Sequence, residues 1–390
     1  MNAKKGLSLA LSGAMVASML SLPAMAAENT EPNFPDAEGS WASESIDRWG
    51  AAGVVSGDEN GNFNPTATLT RAELAQIFVN MFGLTEKAPN VYADLRGDEW
   101  YADAILKCTA AGIMQGDGVS ANPLSVISRQ ETMVMFGRAM GVTPEANPDM
   151  SSFTDGAAVA DWAAGYMAPL AEMGIISGSG DGSIQPGMNI DRASTMALLD
   201  KAIVSYISEP GAYTVENANG FVVVNAAAGE VELSGQVAGV VVAAGSAGST
   251  VTAKDLTADS LKVDGTAEVS VEGASKVDTM TVNAAGSVEI AQGVTVDTVE
   301  VNAAASLTNS GTVSTLEAND VATVTNNGTI STLTANDAVK VDNKGTVSKA
   351  EINADNVVLD GTKPSTVDVA EGTKNPTNSQ GEEIKDNTTS

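Results

Sequence analysis

The fold of the first half of this chain is decided by residues 53–82, which read GVVSGDENGNFNPTATLTRAELAQIFVNMF. Variants of the same stretch follow at residues 112–140, GIMQGDGVSANPLSVISRQETMVMFGRAM, and at residues 174–202, GIISGSGDGSIQPGMNIDRASTMALLDKA. Each copy runs from a glycine and an apolar pair through a polar loop to a proline, and then to an arginine at the head of an apolar segment. A period of about sixty residues, kept by side chains of different chemistry, indicates a triplicated structural unit.

Each copy is preceded by an aromatic-x-Asp sequence and a tryptophan. These residues are Phe34, Asp36 and Trp41 in the first repeat, Tyr92, Asp94 and Trp100 in the second, and Phe153, Asp155 and Trp162 in the third. Apolar residues follow each arginine at helical spacing, as at Leu74, Ile77 and Phe78. With a second helix starting near each tryptophan, the sequence predicts three two-helix repeats, at about residues 34–88, 92–145 and 153–207.

These repeated residues resemble the surface-layer homology (SLH) domain family. Three-repeat modules of that family hold proteins to the bacterial cell wall by binding wall polysaccharide without a covalent bond. The resemblance covers about residues 34–207 and implies an α-helical spindle with pseudo-threefold symmetry and ligand grooves between repeats. It implies as partner an acidic, for example pyruvylated, secondary cell-wall polysaccharide or a peptidoglycan-linked glycan, with lateral self-association as a further interaction.

The start of the second helix in each repeat carries a capping signal. In a capping box, a hydroxyl accepts a hydrogen bond from the amide three residues on, and a glutamate there reaches back to the amide of the cap residue. The capping residues are Thr70 and Glu73 in the first repeat, Ser128 and Glu131 in the second, and Asp191 in the third. The third repeat has Ser194 in place of the glutamate, so it keeps the cap and loses half of the box.

An arginine follows each cap: Arg71, Arg129 and Arg192. A cation in the first helical turn opposes the positive end of the helix dipole, which indicates a counter-charge outside the chain. Free helix amides and a guanidinium fork make a good carboxylate receptor. The alternative is an internal salt bridge to the aspartate of the aromatic-x-Asp sequence. The resemblance implies that the arginine contributes to the glycan site, most clearly in the first two repeats, so Arg→Ala there is expected to weaken wall binding with little loss of fold.

The repeated tryptophans Trp41, Trp100 and Trp162 are also candidates for the glycan site. Packing in the core is the role that we favour for them. Stacking of an exposed ring face on a sugar is the alternative, because an indole presents a large apolar surface.

Two sets of repeated glycines have different predicted roles. Gly53, Gly112 and Gly174 are predicted to end the first helix of each repeat in a left-handed conformation. Gly57, Gly116 and Gly178 then let the backbone of the chain approach either the next repeat or the ligand.

The second half of the chain follows a different rule. Val313-Ser-Thr-Leu316, Ile330-Ser-Thr-Leu333 and Val347-Ser-Lys-Ala350 recur every 17 residues, and related motifs upstream recur at 19. Short alternating strands at a fixed spacing stack one coil on the next, so that equivalent apolar residues form inner columns. Residues 221–372 are therefore predicted to form an all-β parallel β-helix (solenoid) of about eight coils, with Met280, Val299, Leu316 and Leu333 in one column. A β-sandwich is the alternative.

Other segments flank these two halves. Residues 1–26 have the basic start, apolar run and Ala-Met-Ala site of a secretory signal peptide, which leaves residues 27–210 for the three repeats. Residues 211–220 are predicted to be a linker after a turn-prone Pro-Gly pair, and residues 373–390 a disordered polar tail. The mature chain has no predicted membrane span and is expected to be secreted to the cell wall or cell surface, as in an S-layer.

Composition excludes several classes of function. Nucleic acid is excluded as a ligand by the net charge of -29, since phosphate binding needs clustered Lys and Arg. There is no histidine, and Cys108 is the only cysteine, so the commonest general base and any internal disulfide are missing. Residues 58–62 resemble a calcium loop but lack its sixth-position glycine and distal glutamate, which indicates a turn. No catalytic residue, metal site or cofactor is predicted.

The predicted function is that of a non-enzymatic surface protein, anchored by its first half and displaying a β-rich stalk or surface-layer-like domain. One alternative is a wall-anchored adhesin whose second half binds surface polysaccharide. Another is an anchored enzyme that processes such a glycan. An enzyme is expected to present converging carboxylates, whereas the acids of the second half are spread along its repeats.

Overall fold

The computed structural model describes residues 34–388. The signal peptide predicted at residues 1–26 lies outside the described residues. Between residues 34 and 388, no helix combines the length and the apolar character that a membrane crossing requires.

Each of the three repeats contributes two α-helices, as the sequence predicts. The helices are α1 (Ser43–Ala51), α2 (Arg71–Phe82), α3 (Ala102–Ala110), α4 (Arg129–Met140), α5 (Asp161–Glu172) and α6 (Arg192–Ala202). The capping boxes that start α2 and α4 are both complete, and the Asp191 side chain caps α6 by accepting from the Ser194 amide at 2.7 Å. The predicted starts of these three helices are therefore confirmed.

A closed ring of backbone hydrogen bonds joins the three repeats. The Ile127 amide donates to the Leu69 carbonyl at 2.9 Å, the Ile190 amide to the Ile127 carbonyl at 3.2 Å, and the Leu69 amide to the Ile190 carbonyl at 3.2 Å. All three side chains are buried, so the ring lies in a dry environment where each bond is strong. The pseudo-threefold arrangement implied by the resemblance follows from this ring.

The second half is a parallel β-solenoid of about nine turns. Its strands are β1 (Ile203–Ile207), β2 (Gly211–Val224), β3 (Gly229–Val242), β4 (Ser249–Val263), β5 (Glu268–Glu272), β6 (Lys276–Val282), β7 (Ser287–Ile290), β8 (Thr295–Val301), β9 (Ser306–Asn309), β10 (Thr312–Ala318), β11 (Thr323–Asn326), β12 (Thr329–Ala335), β13 (Lys340–Asn343), β14 (Thr346–Ile352), β15 (Val358–Gly361) and β16 (Thr366–Val369). Odd-numbered strands from β5 to β15 stack on one face, and even-numbered strands from β6 to β16 stack on another. All pairings between these strands are parallel, which confirms the solenoid over the sandwich.

The predicted inner column is confirmed residue by residue. Met280 pairs in register with Val299, Val299 with Leu316, and Leu316 with Leu333, and all four side chains are fully buried. A second column consists of buried asparagines. The side-chain amide of Asn309 donates to Asn326 at 2.8 Å, and that of Asn326 donates to Asn343 at 2.8 Å. The repeated asparagines thus satisfy one another inside the turns that they form.

The predicted linker is a strand. Residues 211–217 form the first part of β2 and pair in register with β3, while β1 follows α6 without a break. The side chains of this stretch are mostly exposed, so only its backbone is engaged and its polar sequence resembles a linker. The junction is also packed: Phe221 is buried against Phe136 with ring centroids 6.2 Å apart, and the two halves share one apolar core across it.

The predicted disordered tail contacts the last turns of the solenoid over residues 373–388. Thr377 forms a bridge beside Val358, the Asn387 side chain accepts from the Val367 amide at 2.8 Å, and Ile384 is buried. The physical reason is that the last turn leaves strand edges and apolar side chains uncovered. A polar segment with one apolar anchor covers both.

Candidate functional site

Each arginine at the head of a second helix reaches into the polar loop of the following repeat. Arg71 donates through Nε to the Ala121 carbonyl at 3.0 Å, through Nη2 to the Gln115 carbonyl at 3.2 Å, and through Nη1 to the Glu131 carboxylate at 2.9 Å. The side chain is buried by these contacts. Arg71 thus holds the first repeat to the second, and Glu131 serves both as capping residue and as counter-ion.

The other two arginines repeat this geometry around the ring. Arg129 donates through Nε to the Ile184 carbonyl of the third repeat at 3.0 Å. Arg192 closes the cycle on the first repeat, with Nε donating to the Phe63 carbonyl at 2.7 Å, Nη2 donating to the Ser56 carbonyl at 3.1 Å, and the guanidinium lying 4.4 Å from the Phe63 ring centroid. Each of the three grooves between repeats therefore contains one arginine.

The helix amides are not free, so the predicted carboxylate receptor is wrong in that respect. The amides of Arg71 and Ala72 donate to the Ser125 and Pro123 carbonyls of the second repeat at 3.0 and 2.9 Å. The starts of α4 and α6 are covered in the same way by the loops of the third and first repeats. An anion in a groove thus meets the guanidinium, and not the amides of a helix N-terminus.

The predicted alternative partners of the arginines, the motif aspartates, have another role. Asp36 accepts from the amides of Phe63 and Asn64, both at 2.7 Å. Asp94 and Asp155 make the matching pair of bonds in the second and third repeats. Each aspartate thereby fixes the polar loop of its own repeat at a residue with positive φ, where Asn64 has a φ of 58°.

Electrostatics in the grooves follow from burial. Burial lowers the pKa of Arg129, an effect that Asp155 opposes. Burial also lowers the pKa of Arg192, and Glu73 is the strongest of the acids that oppose it. Because a guanidinium is too weak an acid to lose its proton inside a protein, both side chains remain cations at neutral pH.

The repeated tryptophans lie on the surface, which makes the favoured hypothesis of core packing wrong. The exposed fractions of Trp41, Trp100 and Trp162 are 72%, 64% and 54%. A different tryptophan, Trp49, fills the core of the first repeat with none of its surface exposed. Three exposed indoles at equivalent positions fit the alternative role, in which a ring face is available to a ligand.

The repeated glycines act within their own repeats. Gly53, Gly112 and Gly174 have φ values of 70°, 70° and 71°, which confirms the predicted left-handed helix ends. At Gly116, an added Cβ would lie 2.3 Å from the Ser120 carbonyl oxygen of the same loop. A Cβ at Gly57 would lie 3.0 Å from the Gly61 backbone, and a Cβ at Gly178 would lie 3.1 Å from the Gly182 backbone, so these glycines also allow a close approach within their own loops. The place of these glycines in a glycan site stays a prediction.

Cys108 and the acidic loops do not form a reactive centre. Burial raises the pKa of the Cys108 thiol to about 12, and its Sγ donates to the Ala75 carbonyl at 3.3 Å. The Asp58 carboxylate, in the loop that resembles a calcium site, accepts from the amides of Asn60 and Asn62, as expected for a turn. Residues 34–388 contain no cluster of three or more His, Cys, Asp or Glu side chains that could hold a metal ion.

One feature of the solenoid surface was missed by the sequence analysis. A polar trough of about 360 Å³ runs over the outer face of β5, β7 and β9 and is lined by Glu268, Glu272 and Glu289 among Ser and Thr side chains. In the sequence these acids are spread over two repeats, but the parallel register brings them together. Glu289 pairs with Ser270, which lies between Glu268 and Glu272 on β5. The trough can be predicted from the sequence by aligning the outward-facing positions of successive coils.

Comparison with known proteins agrees with this geometry. The profile of the S-layer homology domain matches residues 33–75, 91–132 and 152–195. The chain is similar to the Surface-layer 125 kDa protein of Lysinibacillus sphaericus, at 32% identity over 45% of this chain and 15% of the relative. It is also similar to the S-layer protein sap of Bacillus anthracis (28% identity, 51% of this chain, 24% of the relative) and to an amylopullulanase of Thermoanaerobacterium thermosulfurigenes (29% identity, 45% and 10%).

The chain contains three S-layer homology (SLH) repeats, which are followed by a parallel β-solenoid. It spans between about a tenth and a quarter of the length of these relatives. SLH domains bind secondary cell-wall polysaccharide and indicate anchoring at the cell wall or cell surface. Because a surface-layer protein and an amylopullulanase are both similar over this part of the chain, the SLH repeats alone do not decide between a structural and an enzymatic role.

Proposed function

We propose that this chain is a non-enzymatic surface protein whose SLH grooves bind an acidic secondary cell-wall polysaccharide without a covalent bond and whose solenoid is displayed as a stalk. The observation that carries the proposal is the threefold repetition of one arginine in each groove and one exposed tryptophan in each repeat. Packing does not explain the exposed tryptophans, and the arginines, which also join neighbouring repeats, place a cation in each groove. The tryptophans expose large apolar surface to water, and the arginines oppose the dipoles of their helices.

The chemistry of these side chains fits an acidic sugar polymer. An exposed indole offers an apolar ring face to the C–H face of a sugar. A guanidinium pairs with a carboxylate by two parallel hydrogen bonds, which adds direction as well as energy. Pyruvyl groups or uronic acids on the polymer are the carboxylates that we expect. The chain has 49 acidic and 20 basic residues, so its overall charge repels an acidic polymer. Binding must therefore depend on local recognition by these arginines.

The solenoid fits the role of a stalk. About nine turns at a strand spacing of 4.8 Å give a rod on the order of 40 Å long. Its packed junction with the SLH repeats, around Phe221 and Ile203, supports a rigid connection to the anchor. Lateral self-association belongs to the same proposal, and sedimentation velocity over a range of protein concentrations tests it.

The experiment that tests the anchoring is co-sedimentation of the full chain with purified walls. Walls whose secondary polymer has been extracted by acid serve as the control surface. The combined substitution of Trp41, Trp100 and Trp162 by Ala is expected to abolish binding with an unchanged melting temperature, since all three side chains are exposed. Val321→Ala, at another exposed apolar residue, is the matched control and is expected to bind normally. Full binding by the triple variant overturns the assignment of the tryptophans, and equal binding to extracted walls overturns the proposed function.

A second candidate function rests on the glutamate-lined trough of the solenoid. Glu268, Glu272 and Glu289 line one open, polar trough, and paired carboxylates are the groups that glycan cleavage uses. Incubation of the full chain with wall polysaccharide, followed by an assay for new reducing ends, tests this candidate. Release that is lost in a Glu268→Gln, Glu289→Gln variant supports an anchored enzyme. No release leaves the non-enzymatic proposal in place.

A further inference from the structure

Within the described residues, the solenoid ends in four strand edges, two at the base beside the SLH repeats and two at the tip. Three of these edges are covered. At the base, β1 pairs with residues 221–224 of β2. At the tip, Thr377 forms a parallel bridge with Val358 of β15, and the Val367 amide of β16 donates to the Asn387 side chain at 2.8 Å. Such covers keep the unpaired N–H and C=O groups of an edge from pairing with another chain.

The fourth edge is open. Residues 211–217 of β2 pair in register with β3 on one side. On the other side, β1 begins its pairing only at Phe221, and no other strand between residues 34 and 388 reaches this stretch. The outward-facing side chains of the stretch are exposed. One row of backbone N–H and C=O groups is therefore left without a strand partner.

The sequence of this edge favours pairing with a further strand. It reads GAYTVEN, which is rich in residues of high β propensity. It contains no proline, no lysine and no bulge, which are the features that usually protect an edge. Tyr213 pairs with the buried Leu233 and so faces the solenoid interior, as does Val215, yet both side chains are only half-buried. A strand added at this edge would cover them.

We propose that residues 211–217 are the edge through which two copies of this chain associate, as antiparallel strands related by a twofold axis at Thr214. This inference rests on the proposed function and names the surface for its lateral self-association. A twofold contact uses the same surface on both copies, so it closes at the dimer. An axis at the middle residue lets all seven residues of each copy take part.

The register that follows is self-complementary. It sets Tyr213 opposite Val215 of the second copy, and an aromatic residue opposite a β-branched one is a favourable cross-strand pair. It sets Glu216 opposite Ala212, so the carboxylates of the two copies do not face each other. This matters in a chain with a net charge of -29, because like charges directly opposite each other destabilise a strand pair.

Sedimentation velocity of the full chain over a range of concentrations tests the edge. Thr214→Lys places two ammonium groups opposite each other at the axis and is expected to weaken dimerisation on the order of tenfold. Thr214→Val keeps the β-branched shape and is expected to dimerise at least as strongly as the unmodified chain. An equimolar mixture of the Thr214→Lys and Thr214→Glu variants is expected to restore the dimer. Because Thr214 is exposed, each variant should keep the circular dichroism melt of the unmodified chain.

Crosslinking tests the register. Residues directly opposite each other in an antiparallel pair have Cα atoms about 4.5 to 5.5 Å apart, which is within the span of a disulfide. Thr214→Cys is therefore expected to form a disulfide between copies under mild oxidation, seen on a non-reducing gel. The native Cys108 is buried and does not compete. Gln236→Cys, an exposed position one strand further from the edge, is the matched control and should stay uncrosslinked.

The outcomes separate this inference from the proposed anchoring. If the unmodified chain binds no wall polymer, the proposed function fails. If it binds wall polymer but stays monomeric up to about 1 mM, the anchoring stands and the docking edge is overturned. Dimerisation that Thr214→Lys leaves unchanged also overturns the edge. A disulfide at Gln236→Cys as abundant as that at Thr214→Cys overturns the register and the twofold axis.

Discussion

Replacing Arg71 by Ala should destabilise the protein far more than replacing Arg129. The side chain of Arg71 is 11% exposed and that of its ion-pair partner Glu131 is 31% exposed. Removing one partner of a buried ion pair leaves the other charge without compensation, at a cost of about 3 to 5 kcal/mol. The partial exposure of Glu131 places the expected cost at the lower end, about 3 kcal/mol. For a domain of this size, that corresponds to a fall in Tm of about 6 to 12 °C.

The matched control is Arg129→Ala. That substitution removes one hydrogen bond to a carbonyl, at Ile184, and leaves no acid unpaired, so the expected cost is about 1 kcal/mol. The double variant Arg71→Ala, Glu131→Gln tests the mechanism, because glutamine still completes the capping box while the orphaned charge is gone. It should be more stable than Arg71→Ala alone, which makes the two substitutions non-additive.

Thermal unfolding followed by circular dichroism and by calorimetry gives the five Tm values that are needed, those of the unmodified chain, the double variant and the single variants Arg71→Ala, Arg129→Ala and Glu131→Gln. Equal Tm values for Arg71→Ala and Arg129→Ala would refute the structural role assigned to Arg71. A double variant less stable than Arg71→Ala would show that Glu131 contributes through its cap and not through the ion pair. The pattern expected here also replaces the expectation from sequence that both arginines can be removed with little loss of fold.

Three further outcomes are expected. Leu333→Asp places a carboxylate in a fully buried column and should cost several kcal/mol, whereas Ser331→Asp, at an exposed position of the same strand, should leave the circular dichroism melt unchanged. Cys108, with its thiol buried and its pKa raised to about 12, should not react with a thiol reagent at pH 8 until the protein unfolds. Phe221→Ala should cost about 3 to 5 kcal/mol and split the calorimetric transition in two, because its ring packs across the junction; a single transition at the original temperature would contradict a shared core.

Much of the fold was predictable because local rules and global structure agree. The capping residue Thr70, the helix-ending Gly53 and the column residue Leu333 each follow from chemistry within a few residues or from an exact repeat. Periodicity alone gave the register of the solenoid, since parallel coils of constant length place equivalent residues side by side.

What could not be predicted depends on contacts between distant segments. The sequence places Arg71 in a first helical turn, but its partner is Glu131, sixty residues later, and only the closure of the ring brings them together. Trp41 precedes α1 and Trp49 lies within it, and the packing of α1 decides that Trp41 is exposed and Trp49 buried. The strand at residues 211–217 was missed because its backbone pairs while its side chains remain in water.

The continuous core at the junction has a mechanical consequence. A chain joined by a flexible linker would let its second half swing freely, but here α6 runs directly into β1 and Phe221 wedges against Phe136. The protein has no hinge at this point, so under the proposed function the tilt of the solenoid is dictated by how the three grooves sit on the glycan. With the chain anchored as proposed, compliance under drag or shear comes from the sugar polymer, and a pull on the solenoid tip is transmitted as a lever force to the grooves.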